Sequence, residues 1–355
     1  MPISQQLINE LVDTVTKEGA SDLHLSEGRN PVIRVSGFLI PLLKIAPLTH
    51  EDMLGFMEVF LSPGNKKSFQ ESQDADFAYT HVASKVRFRG NAFLELSKIS
   101  IALRLIPKVV KTFAELNLPP LLASFASRQQ GFFLVVGPAG QGKSTTLASM
   151  IELINTERLE HIITIEDPIE YIFEAKKSLI DQREVKTDTP DFHTALWGAF
   201  RQDADVIMVG EMREPDTIAT AVTAAETGHL VLSTLHTNTA AQTVDRIIDS
   251  FTSEQQDQIR IQLSASLIGI FSQRLIPRIS GGLIPAYELL INNNAVANLI
   301  REKRTHEINL VIETGSEDGM IDLNRCLANL VKAGEITAEN AFLYSSNPKT
   351  LERMI

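Results

Sequence analysis

Between residues 4 and 18 the apolar positions are Leu7, Ile8, Leu11, Val12 and Val15, three and four apart. That spacing predicts an amphipathic helix, with Ser4 able to cap it and Gly19 able to end it. The period then changes. "DLHLS" and "PVIRVSGFLIPL" alternate apolar and polar residues as strands do, with Ser36-Gly37 as a hairpin turn. Thr49 to Asp52 opens a second helix with a T-x-x-D capping box. "KVRFRGNAFLEL" and "ISIALRLIP" read as paired strands. Residues 1–106 are therefore expected to form a small α+β domain. Pro107, Pro119 and Pro120 mark 107–120 as a linker.

From residue 121 onward, short apolar runs alternate with helical stripes. A strand at 132–136 precedes a helix at 143–154 with Leu147, Met150, Ile151 and Ile154 on one face. "HIITIE", "DVIMVG" and "HLVLSTLH" are further strands, separated by helices near 192–201 and 215–227, and a helix at 239–249 closes the series. Such alternation predicts a mostly parallel sheet covered by helices on both faces. After Ser253 the pattern reads as almost wholly helical. The expected class is α/β, with domains 1–106 and 121–355.

Composition narrows the setting. Apolar residues make up 44% of the 355 positions, enough for sizeable cores. No apolar run approaches ~18 residues, so no membrane-spanning helix is expected. The start lacks a basic stretch followed by an apolar one, which argues against a signal peptide. The single cysteine, Cys326, excludes an internal disulfide or a multi-cysteine metal site. These features point to the cytoplasm. The net charge of −11 and the absence of a basic run argue against a nucleic-acid partner.

The chemistry concentrates at strand ends. "GPAGQGKST", Gly137 to Thr145, contains G-x-x-x-x-G-K-[ST] between a strand and a helix. Gly137, Gly140 and Gly142 let the backbone aim N–H groups at an anion, and the helix N-terminus adds positive charge. Pro138, Ala139 and Gln141 complete the loop. Lys143 suits the β- and γ-phosphates of a nucleoside triphosphate. Ser144 suits Mg²⁺. In an open α/β sheet, ligands sit beyond the carboxyl ends of the strands. Glu166 and Asp167 follow "IITI", where an acid can hold the metal or polarise water. Glu211 follows "VIMVG" and resembles a Walker B acid, with Gly210 where an Asp is common. His229 and His236 bracket the next strand, and a histidine near the γ-phosphate can sense it. Arg87, Arg89 and Arg104 in the first domain are candidates to neutralise transition-state charge. Arg87 and Arg89 fall on one face by strand alternation.

Taken in order, "GPAGQGKSTT", "ITIEDPIEY", "DVIMVGEMRE" and "AAETGHLVLSTLHT" resemble the Walker A, Asp, Walker B and His boxes of the type II and type IV secretion ATPase superfamily. "AVANLIREKR", Ala295 to Arg304, is similar to a helical element of its pilus-retraction branch, and a single cysteine and a short start favour that branch. The resemblance implies a PAS-like N-terminal domain, a RecA-like P-loop ATPase domain with C-terminal helices, and ATP bound between the two. It implies ATP and Mg²⁺ as ligands, with Ser144 and Glu211 at the metal. It also implies catalytic roles for Glu166, Glu211 and His229, with arginines completing the site. The expected partners are five further copies in a homo-hexamer, a polytopic platform protein at the inner face of the membrane, and a second retraction ATPase. The alternatives are an accessory retraction motor, an assembly or secretion motor, a nucleic-acid translocase, or a nucleotide-binding regulatory module.

Overall fold

The computed structural model describes residues 3–35, 37–107 and 109–355. The side chain of Ser4, expected as a cap, and Ser36 of the expected turn lie outside the described residues. The chain divides into two compact units. One comprises residues 1–109 with 170–172, and the other 110–169 with 173–355. The boundary falls inside the 107–120 stretch, and residues 110–120 count with the second unit. Ser149 there donates a hydrogen bond to the Lys111 carbonyl at 2.8 Å.

In the first unit, helix α1 (Ile3–Lys17) leads into strands β1 (Asp22–Ser26), β2 (Val32–Val35) and β3 (Phe38–Pro41). Helices α2 (His50–Phe60) and α3 (Pro63–Ser72) follow, then β4 (Asp74–Thr80), β5 (Arg87–Glu95) and β6 (Lys98–Ile106). The six strands run β3-β2-β1-β6-β5-β4, and their pairings are antiparallel. One face is apolar and takes Ile8, Leu11, Val12 and Val15 of α1 with Met53, Phe56 and Phe60 of α2. Thr49 caps α2 in a capping box with Asp52, as its spacing predicts.

The second unit opens with α4 (Leu122–Ala126) and β7 (Gly131–Val136), then α5 (Lys143–Glu157), β8 (His161–Glu166) and β9 (Leu179–Glu184). Next come α6 (Phe192–Ala199), β10 (Val206–Val209), α7 (Pro215–Glu226), β11 (Leu230–Leu235), α8 (Ala240–Asp249) and α9 (Ser253–Ser266). The chain continues through β12 (Leu267–Pro277), β13 (Leu283–Ile291) and α10 (Asn294–Arg301). It ends in α11 (Ile308–Thr314), α12 (Leu323–Lys332), α13 (Ala338–Tyr344) and α14 (Pro348–Glu352). The sheet order is β13-β12-β7-β11-β10-β8-β9. Every pairing is parallel except β12 with β13. This is a RecA-like P-loop core. It follows an antiparallel α+β unit of the PAS-like kind.

The region after Ser253 departs from the helical expectation. β12 and β13 are long strands there, and most of their residues are buried. A strand covered on both faces has no polar side to alternate with, so its apolar run is indistinguishable from a buried helix by period alone. Among the described residues, no helix is long and apolar enough to cross a membrane.

Candidate nucleotide site

The phosphate loop begins where β7 ends. Gly137, Gly140 and Gly142 adopt φ of +147°, +75° and +80°, a region that side chains other than glycine's rarely enter. Gly137 has a second reason to be glycine: a Cβ there would sit 2.5 Å from the Gln273 carbonyl oxygen of β12. Gly142 is the N-cap of α5 and supplies no side-chain cap, so the first-turn N–H groups remain oriented for an anion. Lys143 is buried, and its Nζ donates to the Gly137 and Pro138 carbonyls, both at 2.9 Å. The ammonium is thus held inside the loop that it serves. Ser144 and Thr145 follow, half-buried.

Two carboxylates stand at the ends of neighbouring strands. Glu166 closes β8 and is only 6% exposed. The Thr164 hydroxyl donates to its Oε1 at 2.8 Å, and the Gln182 amide of β9 donates to the same oxygen at 3.4 Å. Glu211 follows β10, which pairs with β8 in parallel. Gly210 sits between them, its N–H donating to the Ile165 carbonyl at 2.8 Å. A Cβ on Gly210 would meet the Ile165 carbonyl at 3.3 Å and Glu166 Cα at 3.4 Å. The Gly-Glu pair therefore brings two strand ends close, where a bulkier Asp-Glu pair would press on β8. Glu211 Oε1 pairs with Arg213 Nη2 at 2.9 Å, and its Oε2 lies 3.8 Å from His236 Nε2.

The two histidines separate cleanly. β11 runs parallel to β7, with Leu230 level with Gly131 and Leu235 level with Val136. His229 precedes β11 and lies at its amino end, away from the phosphate loop by the length of six residues, roughly 20 Å. Its Nδ1 lies 3.0 Å from the Ala224 carbonyl, and its ring meets Phe200 edge-on at 5.4 Å. His229 is thus a packed, hydrogen-bonded residue in this fold, and the expectation that it meets the phosphate is corrected. His236, at the carboxyl end, is the histidine of the site. Its Nδ1 lies 3.5 Å from Lys143 Nζ. Burial pushes its pKa down, the Lys143 charge adds to that, and Glu211 opposes them in part. Burial and Lys143 thus favour the uncharged imidazole.

The arginines of the first unit share one face. Arg89 pairs in register with Arg104 across β5 and β6, and Arg104 pairs with Asp22 across β6 and β1. Arg87 lies two residues from Arg89, so the three guanidinium groups project from the same side of the sheet. Arg104 Nε donates to Asp22 Oδ1 at 3.0 Å. Burial works to raise the Asp22 pKa, but hydrogen bonds from Ser21 and Arg104 outweigh it and hold the carboxyl below its usual range.

Several residues of the site carry no motif. Gln273 and Arg274 of β12, Asn238, and Glu288 of β13 all border the loop or its neighbours. A cavity of about 200 Å³ adjoins the loop, with Leu116, Leu118, Thr145, Leu275 and Pro285 on its walls. Only the strand status of β12 would have drawn attention to Gln273, and its apolar run concealed that. Glu288 is buried, which pushes its pKa up to about 7, while the Ala240 N–H that it accepts works against the shift. A carboxyl whose folded pKa is raised stabilises the fold below its unfolded value, and that contribution is lost as pH rises through about 7. Glu288→Gln, which keeps the acceptor oxygen, is therefore expected to gain in melting temperature over the parent as pH rises from 5 to 8. Parallel shifts in the two proteins across that range would disprove the assignment.

Phosphate loop, parallel sheet and acidic strand ends together define a P-loop nucleoside triphosphatase of the RecA-like class. The model of the "Type II/IV secretion system protein" family matches residues 1–282, and the chain belongs to that family. It is 44% identical over 334 residues to the type IV pilus retraction ATPase PilT of Pseudomonas aeruginosa, spanning 94% of this chain and 96% of that protein. It is 42% identical to a twitching motility protein of Neisseria gonorrhoeae, over 90% of this chain and 86% of the relative. A solved structure of the pilus retraction motor PilT with bound ADP superposes with a TM-score of 0.90 at 44% identity, covering 98% of both chains.

Proposed function

We propose that this chain is an ATP-hydrolysing hexameric motor that drives type IV pilus retraction. The observation that carries this reading is its 44% identity to a pilus retraction ATPase along nearly the whole of both chains. The loop amides and Lys143 hold the β- and γ-phosphates, and the cavity beside Thr145, lined by Lys111, Glu115 and Asn117 as well as by leucines, receives the base. Glu166 orients and deprotonates the attacking water, with its carboxylate plane set by Thr164 and Gln182. Glu211 stands beside it, and His236 bridges the space between Glu211 and Lys143. In a ring of copies, the arginine face carrying Arg87, Arg89 and Arg104 on a neighbouring copy supplies cations for the developing phosphate charge.

Ser144, in the first turn after the phosphate loop, and Glu211, just beyond β10, are hard oxygen donors. They suit Mg²⁺, which takes a few such ligands and completes its shell with phosphate oxygens and water. When bound, the ion neutralises charge on the β- and γ-oxygens.

Hydrolysis performs work only if ATP and its products prefer different arrangements of the subunit. In a ring of six copies that difference would be transmitted to a polytopic platform protein at the cytoplasmic face of the membrane, with a second retraction ATPase as a further partner. The test is complementation of cells that lack their own retraction ATPase. Pilus retraction should return with the parent chain and stay absent with Glu166→Gln at equal protein level. A parent that hydrolyses ATP yet leaves pili unretracted in its own host background would refute the retraction reading and assign the motor to another machine.

A further inference from the structure

Ser272 to Leu275 run along β12 beside the phosphate loop, and strand alternation turns neighbouring side chains to opposite faces. Gln273 is 2% exposed and uses both ends of its amide. Its Nε2 donates to the Gln141 carbonyl at 2.7 Å, and its Oε1 accepts from the Thr146 hydroxyl at 2.7 Å. The Leu275 N–H donates to Gln141 Oε1 at 2.7 Å, so loop and strand are laced in both directions. Gly137 and Gly142 pack on the same residue, since a Cβ at either would lie within 3 Å of Gln273 atoms.

The alternate positions grip a different loop. The Ser272 hydroxyl donates to the Asn238 carbonyl at 2.8 Å, and Arg274 Nη2 donates to Asn238 Oδ1 at 2.9 Å. Asn238 follows His236 by two residues, in the connection from β11 to α8. Glu288, in register with Ser272 on β13, accepts the Ala240 N–H at 2.7 Å on the far side of that connection and is a charge partner of Arg274.

We propose that Gln273 and Arg274 are positioning residues with separate duties: Gln273 shapes the phosphate loop for nucleotide binding, and Arg274, through Asn238, places His236 for turnover. This rests on the nucleotide reading above. Gln273 contacts only groups that are already in place before ATP arrives, so its loss weakens ground-state and transition-state binding equally. Arg274 holds the segment bearing the residue between Lys143 and Glu211, where charge changes during the reaction. Its loss falls on the transition state.

The test uses the full chain and a fluorescent, non-hydrolysed ATP analogue, with kcat and KM for ATP measured alongside. Gln273→Met is expected to raise the analogue Kd and the KM about tenfold, the effect of one lost buried hydrogen-bond pair, and to leave kcat within about twofold. Arg274→Met is expected to lower kcat about tenfold or more and to leave the analogue Kd within about twofold. Thr146→Val and Asn238→Ala, milder changes made from the partner side, should reproduce Gln273→Met and Arg274→Met respectively. The matched double variants should be no worse than the singles, because members of one network do not add. Variants that depress binding and turnover together, lower only the melting temperature, or add fully with their partners would overturn the division of duties. A parent chain that fails to bind the analogue would instead overturn the nucleotide reading itself.

Discussion

Glu166→Gln is expected to bind ATP as the parent does and to hydrolyse it roughly 10²–10⁴ times more slowly, the contribution of a positioned general base. The substitution preserves shape. It also preserves the acceptor that receives the Thr164 hydroxyl at 2.8 Å, so β8 and its end keep their geometry. What disappears is the carboxylate. Glu211 is the other carboxylate at this edge, but its oxygens face Arg213 at 2.9 Å and His236 at 3.8 Å. That pairing suits a group that balances charge more than one that takes a proton from water. Single-turnover hydrolysis, with analogue binding measured in parallel, separates the two carboxylates. A loss below tenfold at Glu166 with a larger one in Glu211→Gln would exchange their roles.

Lys143→Ala is expected to lose both binding and turnover, with kcat falling by roughly 10²–10³, the typical cost of one donor aimed at developing charge. The ammonium is buried, and the Gly137 and Pro138 carbonyls hold it in place at 2.9 Å. It therefore meets the incoming phosphate with little reorganisation. Alanine leaves those carbonyls without their donor and the loop without its one cation. A ligand at about a hundred times its Kd adds ~2.7 kcal/mol to the stability of a protein that binds it only when folded. The parent should accordingly melt at a higher temperature with ATP analogue present, and Lys143→Ala should show no such gain at the same concentration. A variant that retains the full gain would remove Lys143 from the phosphate contact.

Much of this protein was legible without coordinates because its signals are local. Phosphate binding needs glycines, a lysine and a hydroxyl in a short loop between a strand and a helix, and the chain from Gly137 to Thr145 carries all of them in order. Glu166 and Glu211 were readable for the same reason: each directly ends an apolar run, and a run's end is visible in one dimension. The helix at 4–18 and the capping box at Thr49 likewise depend on residues within a few positions of one another.

The tertiary structure decided what depends on direction and on distant neighbours. His229 and His236 flank the same strand, and only the polarity of β11 against β7 selects His236 as the one beside Lys143. β12 and β13 are concealed in the sequence because burial on both faces removes the alternation that announces a strand. With them went Gln273, which reaches Gln141 across 132 positions of sequence. The row of Asp22, Arg104 and Arg89 exists only through register across three strands. A motif specifies which atoms can meet a phosphate. The packing of a sheet specifies which end of each strand faces it, and which remote side chains hold the loop in shape until it arrives.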